Sequence, residues 1–233
     1  MNLNTEILQK KFGKNLIIKE DLSKYSWFNL GGPADIFFRP EDKDQLIKFL
    51  DTIKKNNYKM HILGAGSNTL IRDSGVKGVV IKLGSKFSNI ELLEKDTIKV
   101  GASTLDRKVS DFAKNNGISG MEFLSCIPGS IGGAIIMNSG CYGSDISKIL
   151  SSIKIIDEKG KEKEIKNDEI KFFYRGTNIP KNYIILSAEL KGIISSKELI
   201  EQKQEELIKR KKKSQPSQIK TGGSTFKNSN NKK

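Results

Sequence analysis

Four stretches of this sequence combine residue types that chemistry needs. The first, LGAGSNTL at 63–70, sets Gly64 and Gly66 around Ala65 and follows them with Ser67 and Asn68. Glycines let the main chain turn sharply and come close to a ligand. With the added Ser and Asn donors, such a turn makes a nest of the kind that holds phosphate or pyrophosphate. It lacks the third glycine of GxGxxG and the Gly-Lys-Ser/Thr of a P-loop, so taken alone it reads more economically as a tight strand-to-loop turn. The second stretch, IPGSIGGAIIMNSG at 127–140, is denser: Pro128 and Gly129 lead into Ser130, then Gly132, Gly133 and Ala134, and later Asn138 and Gly140. Each glycine costs backbone entropy on folding, so something must approach the main chain there, either another backbone or a ligand. Two such glycine segments in one chain point to a large, flat, phosphate-bearing ligand such as a dinucleotide.

The third stretch, FYRGTN at 173–178, puts Arg175 after two aromatics and before a turn. A guanidinium presents a rigid fork of donors suited to a carboxylate or an enolate oxygen, although a surface arginine beside a turn fits this stretch equally well. The fourth, GGSTFKN at 222–228, holds Ser224 in a glycine-flanked loop. The single histidine, His61, stands at the end of a distant strand. A Ser-His-Asp nucleophile is therefore disfavoured, whereas a hydroxyl held by a rigid loop suits proton delivery.

The elements that must position these residues follow from hydrophobic period and turn signals. Helices are expected within 5–18, from the spacing of Ile7, Leu8 and Phe12; over 41–57, with Leu46, Ile47, Leu50 and Ile53 on one face; and over 104–116, with Thr104 as N-cap and Gly117 just past the end. A long charged helix is expected from 195 until Pro216 closes it. Strands are expected at ADIFFRP, at MHIL, at GVVIKL and over IILSAEL, with hairpins turning at Glu94–Asp96 and at the Lys-Gly of EKGK. Strands and helices mix without βαβ alternation, which argues for an α+β protein.

Composition narrows the function classes. The chain has 233 residues, 36% hydrophobic and 29% charged, enough for one large domain or two small ones. No apolar run reaches membrane-spanning length, and no secretory leader is visible at the start; both suggest a cytoplasmic protein without membrane insertion. The net charge of +14 raises nucleic acid as a partner. Yet only Arg39, Arg72, Arg107, Arg175 and Arg210 are arginines, and no aromatics interleave with the lysines, which argues against base readout and single-strand stacking. KRKKK at 209–213 reads as a solvated helix end. Cys126 and Cys141 are no disulfide framework and read as small, half-buried residues; with one histidine and no CxxC, no metal site is expected.

Taken together, YSWFNLGGPA, LGAGSNTLIRDSGVKGVVIKL, EFLSCIPGSIGGAIIMNSGCYG, FFYRGTNIP and GGSTFKN resemble, in order and approximate spacing, the bacterial UDP-N-acetylenolpyruvoylglucosamine reductase (MurB) family, from about Ser23 onward. The resemblance implies an α+β fold of the vanillyl-alcohol-oxidase (PCMH) type. Its FAD-binding subdomains would span 1–85 and 86–191, with the PCMH-type region about 27–191, and an incomplete substrate-binding domain would begin at 192. It implies non-covalent FAD, NADPH as hydride donor and a UDP-sugar substrate. Gly64, Ala65, Gly66, Ser67 and Asn68 match the family's FAD contacts, as do Pro128, Gly129, Ser130, Gly132, Gly133, Ala134, Asn138 and Gly140. Arg175 matches the arginine that stabilises the enolate, Ser224 the serine that protonates it, and Asn228 a position near the substrate.

The sequence departs from the family pattern in three places. Thr177 stands where serine is usual, and Ser229 where proline is usual. The family also continues by roughly a quarter of its length beyond GGSTFKN, with a glutamate that assists at the substrate, and Glu198, Glu201, Glu205 and Glu206 lie on the wrong side of Ser224 to match it. The resemblance thus implies either the flavin-dependent reductase in a truncated form or a catalytically impaired FAD-binding remnant of it. Other readings are a flavin-binding module without turnover, a different flavin oxidase or dehydrogenase, and a basic nucleic-acid-binding protein. Oligomeric state is not legible.

Overall fold

A computed structural model describes residues 5–55, 58–157 and 159–215. Two apolar runs, IFF and VVI, sit at the centre of the first sheet. Its strands are β1 (Leu16–Asp21), β2 (Pro33–Phe38), β3 (Met60–Ile62) and β4 (Val76–Ile81), in the order β1-β2-β4-β3. β1 pairs antiparallel with β2, while β2–β4 and β3–β4 are parallel. Side chains alternate across a strand, and here both faces are covered. Ile36, Phe38, Val79 and Ile81 enter one apolar cluster, and Phe37 and Val80 enter another with Leu22, Leu63 and Ile71. Burial on both faces is why these strands read as continuous rather than alternating hydrophobics.

Two helices close the first cluster. α1 (Thr5–Phe12) contributes Leu8 and Phe12 but leaves Ile7 exposed. α2 (Lys43–Lys54) starts where the Asp42 side chain accepts from the Gln45 N–H at 2.8 Å, an N-cap that satisfies one of the helix's orphan donors. Its buried stripe is Leu46, Phe49, Leu50 and Ile53; Phe49, not Ile47, makes the central contact, stacking on Phe38 with ring centroids 3.8 Å apart.

The second sheet is antiparallel throughout. The hairpin β5 (Ile90–Glu94) and β6 (Thr97–Gly101) forms one edge. Next come α3 (Asp106–Asn115), which ends at Gly117 with φ +68°, and β7 (Ile118–Ser119). A 3₁₀ turn over Glu122–Cys126 and the short helix α4 (Ile131–Ile136) follow, then the hairpin β8 (Gly140–Cys141) and β9 (Ser144–Asp145). β10 (Leu150–Ile156) and β11 (Glu162–Lys166) turn through Gly160, whose φ of +77° suits glycine. β12 (Phe172–Phe173) and β13 (Gly176–Thr177) form a small hairpin, and β14 (Ile184–Lys191) completes the sheet in the order β11-β10-β14-β6-β5. β15 (Ile193–Ile194) pairs with β7. Finally, α5 (Lys197–Ser214) begins where the Ser196 side chain accepts from Leu199 N.

Ile98, Val100, Ile153, Ile155, Ala188 and Leu190 of this sheet pack against α3, α4 and the 3₁₀ turn in the largest cluster. The next residues of the same strands, Ile156 on β10 with Ile184 and Leu186 on β14, belong to the first sheet's cluster with Phe12 and Phe49. Two strands therefore feed both cores. The α5 helix is polar around most of its circumference and buries only Ile200, Gln204 and Leu207. Gln204 donates to Ser110 on α3 at 2.6 Å inside the fold.

Candidate active site

The two glycine segments meet. A Cβ placed on Gly64 would lie 3.0 Å from Ser130 Oγ and 4.0 Å from the Gly133 Cα. Gly66, at φ +74°, packs so tightly on Tyr25 that a Cβ would fall 1.8 Å from that residue's carbonyl, and its own carbonyl accepts from Trp27 N at 3.2 Å. Beside this turn lies a cavity of about 490 Å³ lined by Tyr25, Ser26, Trp27, Asn29, Ala65 and Lys82. The Lys82 ammonium donates to the Gly64 carbonyl and stands over the Tyr25 ring; burial, then the nearby Arg39, holds its pKa below the ordinary lysine value. Ser26 Oγ is buried there with no partner among the described residues. Ser67 is half-buried, and Asn68 is exposed.

The second segment differs from the loop that its glycines suggest. Ser130 is extended, and Gly132, Gly133 and Ala134 lie within α4. Three backbone bonds tie it to residues 102–106: Asp106 N to Gly129 O at 3.1 Å, Ile131 N to Thr104 O at 3.0 Å and Gly132 N to Ala102 O at 2.9 Å. A Cβ on Gly132 would crowd Ala102, 3.1 Å from its Cβ and 3.2 Å from its carbonyl, while Gly133 is open. Close packing of backbone on backbone thus accounts for Gly66 and Gly140, Gly64 and Gly132 are crowded less severely, and open approach remains at Gly133. Asn138, at φ +40°, accepts from Ser147 N and donates to the Phe173 carbonyl, so its amide braces the hairpin that follows.

That hairpin carries Arg175. Tyr174 and Arg175 are the two residues between β12 and β13, and Arg175 is held at φ +62°. Its Nη1 donates to the Gly140 carbonyl at 3.4 Å, at the end of the second glycine segment, and its guanidinium lies 5.4 Å from the Tyr174 ring. Thr177 fastens the hairpin to the last turn of α4 through Ile136 O at 3.3 Å. Asn138 and Arg175, both non-glycine residues with positive φ, meet this hairpin; such strained backbones persist where the surroundings impose them and concentrate at functional sites. Ser224 and Asn228 lie outside the described residues.

Sequence reasoning missed several groups. Thr104 does not cap α3: Leu105 occupies that position, and Thr104 Oγ1 is buried without a partner among the described residues. Behind Gly129 sits Asp106, fully buried with both carboxyl oxygens unpartnered among the described residues; burial raises its pKa well above the ordinary carboxylate value. Its signal was legible, since Asp106, Val109, Ser110 and Ala113 share the helix's buried face at i, i+3, i+4, i+7. Lys82 directly follows the buried Val79, Val80 and Ile81, and that position after a buried strand was its only local mark. His61 is the middle residue of β3, one short of its end. Among the described residues no cluster of potential metal ligands occurs, and no helix is long and apolar enough to cross a membrane.

The architecture is that of a flavoprotein: the family described as FAD binding domain matches residues 34–166, which takes in both glycine segments. The fold and site define an FAD-dependent oxidoreductase. The UDP-N-acetylenolpyruvoylglucosamine reductase of Pelagibacter ubique (strain HTCC1062) is 50% identical over 208 residues, which are 89% of this chain and 68% of that protein. The reductase of the same name from Wolbachia sp. subsp. Drosophila simulans (strain wRi) is 44% identical over 211 residues, 90% of this chain and 70% of that one. Among solved structures, UDP-N-acetylenolpyruvylglucosamine reductase (MurB) from Thermus caldophilus superimposes with a TM-score of 0.79 at 30% identity, covering 92% of this chain and 74% of that one. The chain belongs to the UDP-N-acetylenolpyruvoylglucosamine reductase family.

Proposed function

We propose that this chain reduces UDP-N-acetyl-3-O-(1-carboxyvinyl)-glucosamine to UDP-N-acetylmuramate, in the cytoplasm, for the building of peptidoglycan. The observation that carries the reading is the convergence of both glycine segments on each other and of Arg175 on the end of the second. The residues present suit FAD. The Gly64–Ala65 turn borders a cavity with an aromatic wall at Tyr25 and Trp27, a half-buried cation at Lys82 and an unsatisfied hydroxyl at Ser26, which fits a ligand with both a ring system and a pyrophosphate. Residues 64–68 and 128–140 would hold it, with residues 1–85 and 86–191 as the two subdomains around it and a substrate domain starting at 192. Non-covalent FAD, reduced by NADPH, supplies the hydride that adds to the enolpyruvyl double bond.

The chain's own residues handle the charge and the proton. Arg175, supported on the Gly140 carbonyl, donates to the substrate's carboxylate and stabilises the negative charge that builds on its oxygens when hydride adds. Ser224 delivers the proton to the neighbouring carbon, so that one hydride and one proton complete the reduction. Asn228 borders the sugar nucleotide.

The test is twofold. The purified chain should show a bound-flavin absorption spectrum, and it should oxidise NADPH only when the enolpyruvyl sugar nucleotide is present. A flavin spectrum with no substrate-dependent oxidation would leave a flavin-binding remnant; a colourless protein would sink the reading.

A further inference from the structure

The second glycine segment is bracketed by the only two cysteines of the chain, Cys126 and Cys141. Cys126 ends the 3₁₀ turn Glu122–Cys126, and Cys141 is the second residue of β8. The fold brings them together although 15 positions separate them: the Cys141 thiol donates to the Phe123 carbonyl of that same turn at 3.5 Å, and β8 packs against the turn. No bond joins them, and both are free.

Their surroundings are electropositive and hydrogen-bonding. Lys211 of α5 donates to the Cys126 carbonyl at 2.8 Å, Ser125 Oγ is 3.7 Å from the Cys126 sulfur, and Arg175 leans on Gly140, the residue before Cys141. The neighbouring Cys141 thiol, then Ser125 and the Lys211 charge, bring the Cys126 thiol down to about 6 against the opposing effect of burial. Cys141 is pushed up by the neighbouring Cys126 and by its own burial. The pair is therefore asymmetric: a thiolate beside a protonated thiol that can resolve it. Reactive cysteines sit in such partly accessible, positive environments, whereas inert buried ones do not. Cys126 is 6% exposed and half-buried Cys141 lies at its side, so access is confined to a small oxidant.

We infer that Cys126 and Cys141 are a redox-active dithiol, which a hydroperoxide converts to an intramolecular disulfide across the second glycine segment and a thiol reductant reopens. The Cys126 thiolate attacks the peroxide O–O bond, giving Cys126 sulfenic acid and, after protonation, water (an alcohol from an organic peroxide). Cys141 sulfur then attacks that sulfenic sulfur, its proton leaving with the hydroxyl as a second water. The peroxide is reduced and the two thiols are oxidised by two electrons. The sulfurs must close to about 2.05 Å, which draws β8 toward the 3₁₀ turn and shifts the Gly140 carbonyl on which Arg175 rests.

With no other thiol in the chain, the counting is unambiguous. The flavin-loaded protein is treated with hydrogen peroxide in small excess, alkylated under denaturing conditions and weighed by mass spectrometry, with and without dithiothreitol. Expected are a mass lower by two hydrogens, no alkylated cysteine, a cross-linked peptide pair from one chain, and full recovery of both thiols on reduction. Cys141→Ser should stop at a sulfenic acid trapped by dimedone. In Cys126→Ser the remaining thiol should react more than about tenfold slower, because it lacks thiolate character. Two alkylatable thiols after peroxide treatment of the wild-type chain, a disulfide between chains, or equal peroxide rates in the two variants would each overturn the inference.

Discussion

Arg175 stands in a backbone conformation that most side chains avoid, at φ +62° in a two-residue turn, and it keeps the guanidinium against the end of the second glycine segment. Arg175→Lys leaves that strain and the charge nearly unchanged but removes the planar fork. Turnover should fall by about 10²–10³-fold, the scale of losing one stabilising donor at a developing oxyanion, while flavin content and melting temperature stay at wild-type values. A drop in flavin content instead would assign the arginine to cofactor retention.

Asp106 belongs to the same scale. Its folded pKa is raised by burial, so the folded state holds a proton that the unfolded state gives up above its ordinary value near 3.8. No penalty exists below that value; stability then falls with rising pH until the folded group itself ionises. Asp106→Asn removes this cost. Relative to wild type the variant should be near neutral at pH 4 and progressively more stable toward neutral pH in urea titrations, and a pH-independent difference would mean that the carboxylate is ionised and paired.

At the scale of elements, the two glycines of the first turn do different work. Gly66→Ala drives a Cβ to 1.8 Å from the Tyr25 carbonyl at a φ of +74°, so the turn must rebuild and the protein should lose on the order of 1–3 kcal/mol, read by chemical denaturation. Gly64→Ala meets Ser130 Oγ at 3.0 Å and the Gly133 Cα at 4.0 Å, a side-chain hydroxyl that can rotate away and an ordinary contact. It should fold almost normally and lose flavin affinity, read by the concentration of free FAD needed to restore the spectrum; unchanged affinity would remove Gly64 from the cofactor site. The elements themselves were largely legible. α2 announced itself by the 3.6-residue period of Leu46, Leu50 and Ile53, and the β10–β11 hairpin by its Lys-Gly turn, because these signals are local. The α4 helix was not legible: Gly132 and Gly133 are poor helix formers, and only their packing on residues 102–106 makes the segment helical. Nor did any local signal say that β4 lies between β2 and β3, or that Cys126 would meet Cys141, since both facts arise from contacts far apart in the chain.

At the scale of the whole molecule, β10 and β14 are the decisive strands. Ile153, Ile155, Ala188 and Leu190 pack in the second sheet's core, while Ile156, Ile184 and Leu186 complete the first sheet's core against Phe12 and Phe49. Differential scanning calorimetry should therefore give one transition with calorimetric and van't Hoff enthalpies in agreement, and two resolved peaks would contradict the shared packing.

The same sharing limits how the chain can be divided. A fragment ending near residue 85 would carry all of β1–β4 yet leave Phe38, Phe49 and Ile81 facing water where Ile156, Ile184 and Leu186 belong. Two halves supplied as separate polypeptides would have to find each other before either could settle. The gene can be cut at that point, but the folded protein has no seam there.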